Sequence, residues 1–190
     1  MNYSQITDFL FIGTTPGCED YDVLRHLGVA LVINMRAERR PYPDPNIPPI
    51  AVIWLPSFDM PLIPIPLRFL MNGMLAARTT IENGGKVYAH CAKGVHRGVA
   101  MGAAILIGLG LSTEESLELI KRRRQVADPD AWYIRRRIER FADNFLGSSI
   151  SQSGISSFGA SQATRGEALP PGTSSIVNDA LPPGISLPQI

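Results

Sequence analysis

The chain has 190 residues, of which 45% are hydrophobic and 18% charged, and its formal net charge is +1. This length suits one domain with a substantial core, and the balanced charge gives no indication of a nucleic-acid partner. Two cysteines are too few for a disulfide framework and no signal-peptide pattern opens the chain, so we expect a reducing, cytoplasmic compartment.

Strand and helix patterns alternate along residues 1–146. The longest apolar stretch, residues 99–111, is too short to span a bilayer and predicts a buried core helix. This alternation predicts an α/β domain with a central, mostly parallel sheet of about four to five strands flanked by helices. In chain order the predicted elements are strand 9–13, helix 19–28, strands 29–34 and 50–54, helix 66–82, strand 86–90, helices 98–110 and 112–124, and a last helix capped by Asp128.

The composition changes near residue 147. From there to residue 190, serine, glycine and proline dominate, and Phe158 is the one aromatic residue. Such a segment cannot bury enough apolar surface to offset the entropy lost on ordering. We therefore expect a folded domain over residues 1–146 and a disordered tail over residues 147–190.

The stretch YAHCAKGVHRG, residues 88–98, places Cys91 after a predicted strand, at the sheet edge where α/β folds bind ligands. Successive N–H groups of a tight loop form an anion nest, and Gly94 allows the turn. The loop leads into a helix that begins near Arg97, whose planar fork matches two phosphate oxygens. The predicted phosphate-binding residues are Ala92, Lys93, Gly94, Val95, His96 and Arg97.

The same positive field acts on the thiol. A free cysteine is only a few per cent ionised at neutral pH, whereas a helix N-terminus and a neighbouring arginine favour the thiolate. Cys91 is therefore predicted to be a nucleophile inside a phosphate-binding loop. The alternative is an inert cysteine buried before a core helix.

The motif Cys91-x5-Arg97, preceded by His90, resembles that of the cysteine-dependent protein tyrosine phosphatases, and the surrounding chain resembles their dual-specificity group. The resemblance covers residues 3–146. It implies a sheet flanked by helices, phosphomonoester hydrolysis through a cysteinyl-phosphate, and neither metal nor cofactor. The stretches that carry it are ITDFLFIG (6–13), LGVALVINMRAE (27–38) and LSTEESLELIKRRR (111–124).

A general acid must protonate the leaving oxygen, and it must come from another loop. Asp59 follows strand 50–54 at the same sheet edge as Cys91, in a proline-rich loop. In the family the acid lies about thirty residues before the nucleophile, which also favours Asp59. Other candidates are Asp44, Asp128 and Asp130. We expect His90 to orient the loop backbone and not to transfer protons.

One residue departs from the family pattern: Gly98 follows the arginine, where the family usually has serine or threonine. That hydroxyl is thought to stabilise the sulfur as it leaves the phosphoenzyme, so the second chemical step is in question. Two interpretations stay open. Either phosphoenzyme hydrolysis is slow, or a water or neighbouring group replaces the hydroxyl and Gly98 permits close helix packing.

Several basic residues surround the predicted site. Lys93 and His96 either favour multiply anionic substrates or are solvated loop residues, and Arg36 either touches substrate or pairs with Glu38. The runs 121–124 and 135–137 are interpreted as solvated helix faces, with a patch that faces a membrane surface or an acidic partner as the alternative.

The resulting function is a metal-independent phosphatase acting on phosphoproteins, at tyrosine and in addition at serine or threonine. Phospholipids or phosphoinositides are the alternative substrates. A phosphate-binding pseudophosphatase and a rhodanese-like sulfur transferase are the alternative functions.

Overall fold

The computed structural model describes residues 1–153, with side chains up to residue 147. The predicted disordered tail lies outside the described residues except at its start. There the last helix continues past the expected domain boundary at residue 146 and ends at Ser153.

The centre of the domain is a five-stranded sheet with the order β1-β2-β5-β3-β4. Strand β1 is antiparallel to β2, and all other neighbours are parallel, which confirms the predicted mostly parallel sheet. The first strand was not predicted from the sequence. The strands are β1 (Tyr3–Gln5), β2 (Leu10–Gly13), β3 (Val29–Arg36), β4 (Ala51–Ser57) and β5 (Lys86–His90).

Helices cover both faces of this sheet. A short 3₁₀ turn, Cys18–Asp20, leads into α1, which packs on one face against Phe11, Val32 and Tyr88. The other four helices lie on the opposite side, where α2 and α3 pack on the sheet and α4 and α5 pack against α3. The helices are α1 (Tyr21–His26), α2 (Leu67–Glu82), α3 (Arg97–Gly108), α4 (Thr113–Arg123) and α5 (Trp132–Ser153).

Helix α3 is the core helix that the apolar run predicts. All of its residues except Gly108 are buried, and it packs between α2, α4 and α5. Its length is about 18 Å, at 1.5 Å per residue. None of the helices in the described part of the chain is long and apolar enough to cross a membrane.

Of two helix starts predicted from the sequence, the start of α4 is confirmed and the start of the last helix is not. The capping box of α4 is present, since Ser112 accepts the N–H of Glu115 and the Glu115 carboxylate accepts the N–H of Ser112. The last helix begins at Trp132, so the start predicted at Asp128 is wrong. The Asp128 carboxylate instead accepts the N–H of Ala131, closing a turn just before the helix.

Candidate active site

The candidate site is built on residues 91–97, here named the cysteine loop. Strand β5 lies between β2 and β3 in the sheet and delivers Cys91 to its carboxyl edge, and α3 begins at Arg97. Because both flanking elements are in the core, the two ends of the loop are fixed in position.

Gly94 adopts a conformation that the loop requires. Its φ is +65°, in the left-handed region that favours glycine. A Cβ at this position would lie 2.6 Å from the carbonyl oxygen of Gly13 and 2.7 Å from Nη2 of Arg124. The predicted need for glycine in this turn therefore has both a conformational and a steric cause.

The carbonyl groups of the loop point outward. Arg124 donates to the carbonyl oxygens of Lys93, at 3.1 Å, and Gly94, at 2.8 Å, and the N–H of Asp128 donates to that of Val95 at 3.0 Å. Across a trans peptide the following N–H points the opposite way. The three amides that follow these carbonyls thus point to the inner side, as an anion nest requires.

Cys91 is 1% exposed, and its sulfur accepts the N–H of Gly94 at 3.2 Å. Its own carbonyl oxygen accepts the hydroxyl of Thr15 at 3.1 Å. The sulfur therefore lies on the inner side of the loop, together with the inward amide N–H groups. Such donors stabilise a negative charge on sulfur more than a neutral thiol.

The guanidinium of Arg97 is buried and oriented by an ion pair. Nη1 donates to Oε2 of Glu38 at 2.8 Å, and Nη2 donates to Oε1 at 2.9 Å. Nη1 also donates to the carbonyl of Ser57 at 2.7 Å. One N–H of Nη2 and the buried Nε–H remain on one edge; Nε makes no hydrogen bond within the described residues, although the Asp59 carboxylate lies 3.7 Å from it. That edge can bind two oxygens of one anion.

Glu38 stays ionised under all ordinary conditions. The hydrogen bond from Arg97 is the largest cause, and it lowers the pKa of Glu38 to about 2 against the opposing effect of burial. Arg36 also donates to Glu38, at 3.0 Å, and to the Thr15 hydroxyl, at 2.9 Å. Arg36 thus pairs with Glu38, one of the two roles predicted for it, while a contact with substrate stays a prediction.

Asp59 lies beside the cysteine loop. One of its carboxylate oxygens is 3.7 Å from Nε of Arg97, and its side chain is 30% exposed. Tyr133 donates its hydroxyl to the other oxygen at 2.8 Å, and Nδ1 of His96 lies 3.1 Å from Oδ1 and 3.2 Å from Oδ2 of the carboxylate. The structure therefore brings Asp59 and Cys91 to one site.

The alternative acids lie elsewhere or are otherwise engaged. Asp44 is fully enclosed and pairs with Arg25 on the α1 side of the sheet. Asp130 pairs with Lys121 and Arg135. Asp128 caps its turn and is 3.8 Å from Nε2 of His96.

Two further predicted residues frame Cys91. His90 is buried, and burial lowers its pKa to about 4, although a hydrogen bond with the Cys91 backbone acts in the opposite direction. The ring is therefore neutral at neutral pH, and its buried Nδ1 has no hydrogen-bond partner among the described residues, so the orienting role stays a prediction. Gly98 packs against the same backbone, since a Cβ there would lie 3.3 Å from the nitrogen of Cys91 and 3.4 Å from the carbonyl carbon of His90.

One prediction about the basic runs is wrong. Arg124, the last residue of the run 121–124, is 2% exposed and braces the cysteine loop from outside. The physical reason is its position one helical turn after Ile120 and two after Leu117, on the buried face of α4. Lys121, Arg122 and Arg123 are exposed, as expected.

Sequence reasoning also missed three supporting residues: Glu38, Tyr133 and Thr15. Each contacts the site from a distant part of the chain, so spacing near Cys91 carries no signal for them. Arg124 alone had a signal, because it continues the apolar stripe of α4.

Comparisons with known proteins were made on sequence and on structure. No protein-family model matches the chain. It is 29% identical to mouse dual specificity protein phosphatase 14 over 148 residues, covering 77% of this chain and 73% of that protein. It is 27% identical to mouse laforin over 156 residues, covering 69% of this chain and 47% of laforin.

Solved structures share the fold. The crystal structure of human DUSP28 superposes with a TM-score of 0.67 at 23% identity, covering 76% of this chain and 95% of that one. PTPMT1 in complex with PI(5)P superposes with a TM-score of 0.66 at 22% identity, covering 77% and 98%. At these identities the superpositions show a shared fold. By sequence and by fold, the chain is dual-specificity phosphatase-like, as the motif around Cys91 and Arg97 indicated.

Proposed function

We propose that this chain hydrolyses phosphomonoesters through a covalent cysteinyl-phosphate on Cys91. One observation carries the proposal: the sulfur of Cys91 shares the inner side of its loop with inward amides, beside a buried arginine whose Nε makes no hydrogen bond within the described residues. A phosphoryl group fits these donors, because its three peripheral oxygens match the amides and the Nε/Nη2 edge of Arg97.

In the first step, the Cys91 thiolate attacks phosphorus and the bond from phosphorus to the ester oxygen breaks. Arg97 and the loop amides bind the three peripheral oxygens and stabilise their negative charge while the ester oxygen leaves. Asp59, in its protonated form, gives its proton to the leaving oxygen. Tyr133 and His96, both in contact with the Asp59 carboxyl group, hold it at the site.

In the second step, water attacks phosphorus, and the bond from phosphorus to sulfur breaks. Asp59, now a carboxylate, takes a proton from that water, and Cys91 returns as a thiolate. The products are inorganic phosphate and regenerated protein. The scheme uses neither metal nor cofactor.

Phosphoproteins are the substrate class we propose first, at phosphotyrosine and in addition at phosphoserine or phosphothreonine, because the curated relative with 29% identity is named a dual specificity protein phosphatase. Phospholipids or phosphoinositides are the second, because a structural neighbour was crystallised with PI(5)P. A cytoplasmic location and a catalytic domain within residues 1–146 belong to the same proposal.

Hydrolysis of an aryl phosphate by the full chain tests the reaction. We expect turnover that vanadate blocks and a chelator leaves unchanged, that Cys91→Ser abolishes, and that Asp59→Asn lowers by roughly a hundredfold or more. Turnover that survives in Cys91→Ser would refute the mechanism. A panel of phosphopeptides and phosphoinositides then separates the two substrate classes.

A pseudophosphatase that binds phosphorylated partners is the second candidate, and Gly98 is the observation that favours it. One structural neighbour, with a TM-score of 0.64, is named a tyrosine phosphatase-like serine/threonine/tyrosine-interacting protein. Phosphopeptide binding by the wild-type chain without any turnover would favour this candidate over the enzyme.

A further inference from the structure

The segment of residues 58–64, between β4 and α2, has the sequence FDMPLIP, and all seven residues are exposed. The N–H of Ile63 donates to the carbonyl of Met60 at 3.2 Å, which closes a turn with Pro61 and Leu62 at its tip. Leu62 is 87% exposed. Soluble domains seldom expose so many neighbouring apolar side chains without a partner for them.

The apolar surface continues onto the start of α5. Trp132 is 63% exposed, and with Pro61 and Pro64 it lines a groove of about 220 Å³. We name the combined surface the apolar rim. It consists of Phe58, Met60, Leu62, Ile63 and Trp132.

Beside the apolar rim lies a row of positive charge. Arg136, Arg137 and Arg140, which follow Trp132 along α5, line the same groove. Within residues 1–147, where side chains are described, none of the three has a carboxylate within 4.0 Å, and the buried Nε of Arg137 has no hydrogen-bond partner. The arginine directly before them, Arg135, by contrast pairs with Asp130 and Glu139. The row therefore favours an anionic occupant.

We propose that the apolar rim and the arginine row form a docking surface for a bilayer that contains anionic lipid. The turn at residues 60–63 carries apolar side chains outward from the domain, which suits insertion among acyl chains, and the arginines lie beside it, where headgroup phosphates would be. The same segment carries Asp59, so docking places the mouth of the candidate site against the lipid headgroups.

The remainder of the chain is a poorer occupant. Residues 154–190 hold Arg165, Glu167 and Asp179 as their charged residues, a net charge of −1 by sequence. That is too little to compensate three arginines. An acidic peptide would satisfy the arginine row but not the protruding side chain of Leu62, so a bilayer fits both halves of the surface.

Vesicle binding by the full chain tests the proposal, and it does not depend on catalysis. We compare co-sedimentation with phosphatidylcholine vesicles that contain or lack phosphatidylserine. The test variants are Leu62→Asp and the double change Arg136→Gln with Arg140→Gln. The matched controls are Val23→Asp, on the opposite face of the sheet, and Arg122→Gln with Arg123→Gln, on exposed positions of α4.

We expect wild-type binding that requires phosphatidylserine, a loss of roughly tenfold or more in each test variant, and little change in the controls. Circular dichroism and turnover of a soluble aryl phosphate, measured on every variant, show that folding and the proposed activity are unaffected. Absence of wild-type binding, or equal losses in test and control variants, overturns the proposal and leaves a phosphopeptide as the occupant to examine.

Discussion

Cys91 and Asp59 supply the two halves of the proposed chemistry, and the segments that hold them, the cysteine loop and residues 58–64, are built in opposite ways. In the loop, Cys91 and Arg97 are at most 3% exposed and the backbone is bonded on its outer side. In the segment, every residue is exposed, and Asp59 is held through the side chains of Tyr133 and His96.

This difference has a consequence for how the two halves respond to change. The nucleophile and the anion nest belong to the core, so damage to them should lower stability and activity together. The acid is attached to the surface by side-chain contacts, so damage there should change the rate and leave the free energy of unfolding almost unaltered. Substitutions on each side can separate these two behaviours.

Among the variants that compare the two halves, the largest effect is expected for Gly94→Ala. The new Cβ would meet the Gly13 carbonyl at 2.6 Å in a residue with φ of +65°, so the loop must open. We expect kcat/KM to fall by roughly a thousandfold and stability to fall by about 1–3 kcal/mol.

The chain offers a matched control in Gly84, which has φ of +79° and nothing within 4 Å of its Cβ position. Gly84→Ala should cost about 1 kcal/mol of conformational strain and leave kcat/KM unchanged. Steady-state kinetics and urea unfolding measure both quantities. Equal activity losses in the two variants would show that the loop contact is unimportant.

Arg124→Met should have the next largest effect. It removes the hydrogen bonds to the carbonyls of Lys93 and Gly94 and leaves buried acceptors without partners. We expect about 2–4 kcal/mol of lost stability and a fall of roughly ten- to a hundredfold in kcat/KM. Arg123→Met, an exposed neighbour, should change stability by less than about 0.5 kcal/mol. Similar losses in both variants would contradict the bracing role.

Tyr133→Phe tests the surface half. Loss of the hydroxyl removes one of the hydrogen bonds that hold the Asp59 carboxyl group. We expect kcat to fall by roughly three- to tenfold with an unchanged free energy of unfolding. The fall should disappear for a substrate whose leaving group needs no proton. Tyr42, whose backbone carbonyl accepts the Tyr21 hydroxyl on the α1 side of the sheet, is the control, and Tyr42→Phe should have no effect. An equal fall for good and poor leaving groups would place Tyr133 outside the acid step.

The sequence predicted the parts of the site whose geometry is local. Strand β5, the loop and α3 follow one another, so an apolar run, a glycine and an arginine six residues after Cys91 were enough to predict the nest and the arginine fork. Asp59 required only the rule that parallel strands end at one sheet edge, together with the family's spacing.

The parts that could not be predicted depend on contacts between distant residues. Glu38 is 59 residues from Arg97 and Arg124 is 30 from Gly94, and no local pattern specifies either pairing. Strand β1 has only three residues and gains its order from pairing with β2. Arg124 was expected to be solvated and is buried, which shows that one residue of a basic run can belong to the core.

Gly98 follows the cysteine loop and bears on the second chemical step, in which the bond between phosphorus and the Cys91 sulfur breaks. Close packing accounts for a glycine here, because a Cβ would contact the Cys91 and His90 backbone at 3.3–3.4 Å. The other interpretation, slow hydrolysis of the phosphoenzyme, depends on the hydroxyl that glycine lacks. Gly98→Ala adds only the Cβ, whereas Gly98→Ser adds the Cβ and a hydroxyl donor, so the ratio of the two variants isolates the hydroxyl.

We expect the smallest effect of the series here. Rapid quench of the wild-type chain should show a burst of phosphoenzyme, and steady-state turnover of Gly98→Ser should exceed that of Gly98→Ala by roughly two- to fivefold, as one added hydrogen bond to a leaving sulfur allows. The burst should shrink in the serine variant because the second step becomes faster. Equal turnover in both variants, with no wild-type burst, would show that the loop amides alone release the sulfur and that packing alone explains the glycine.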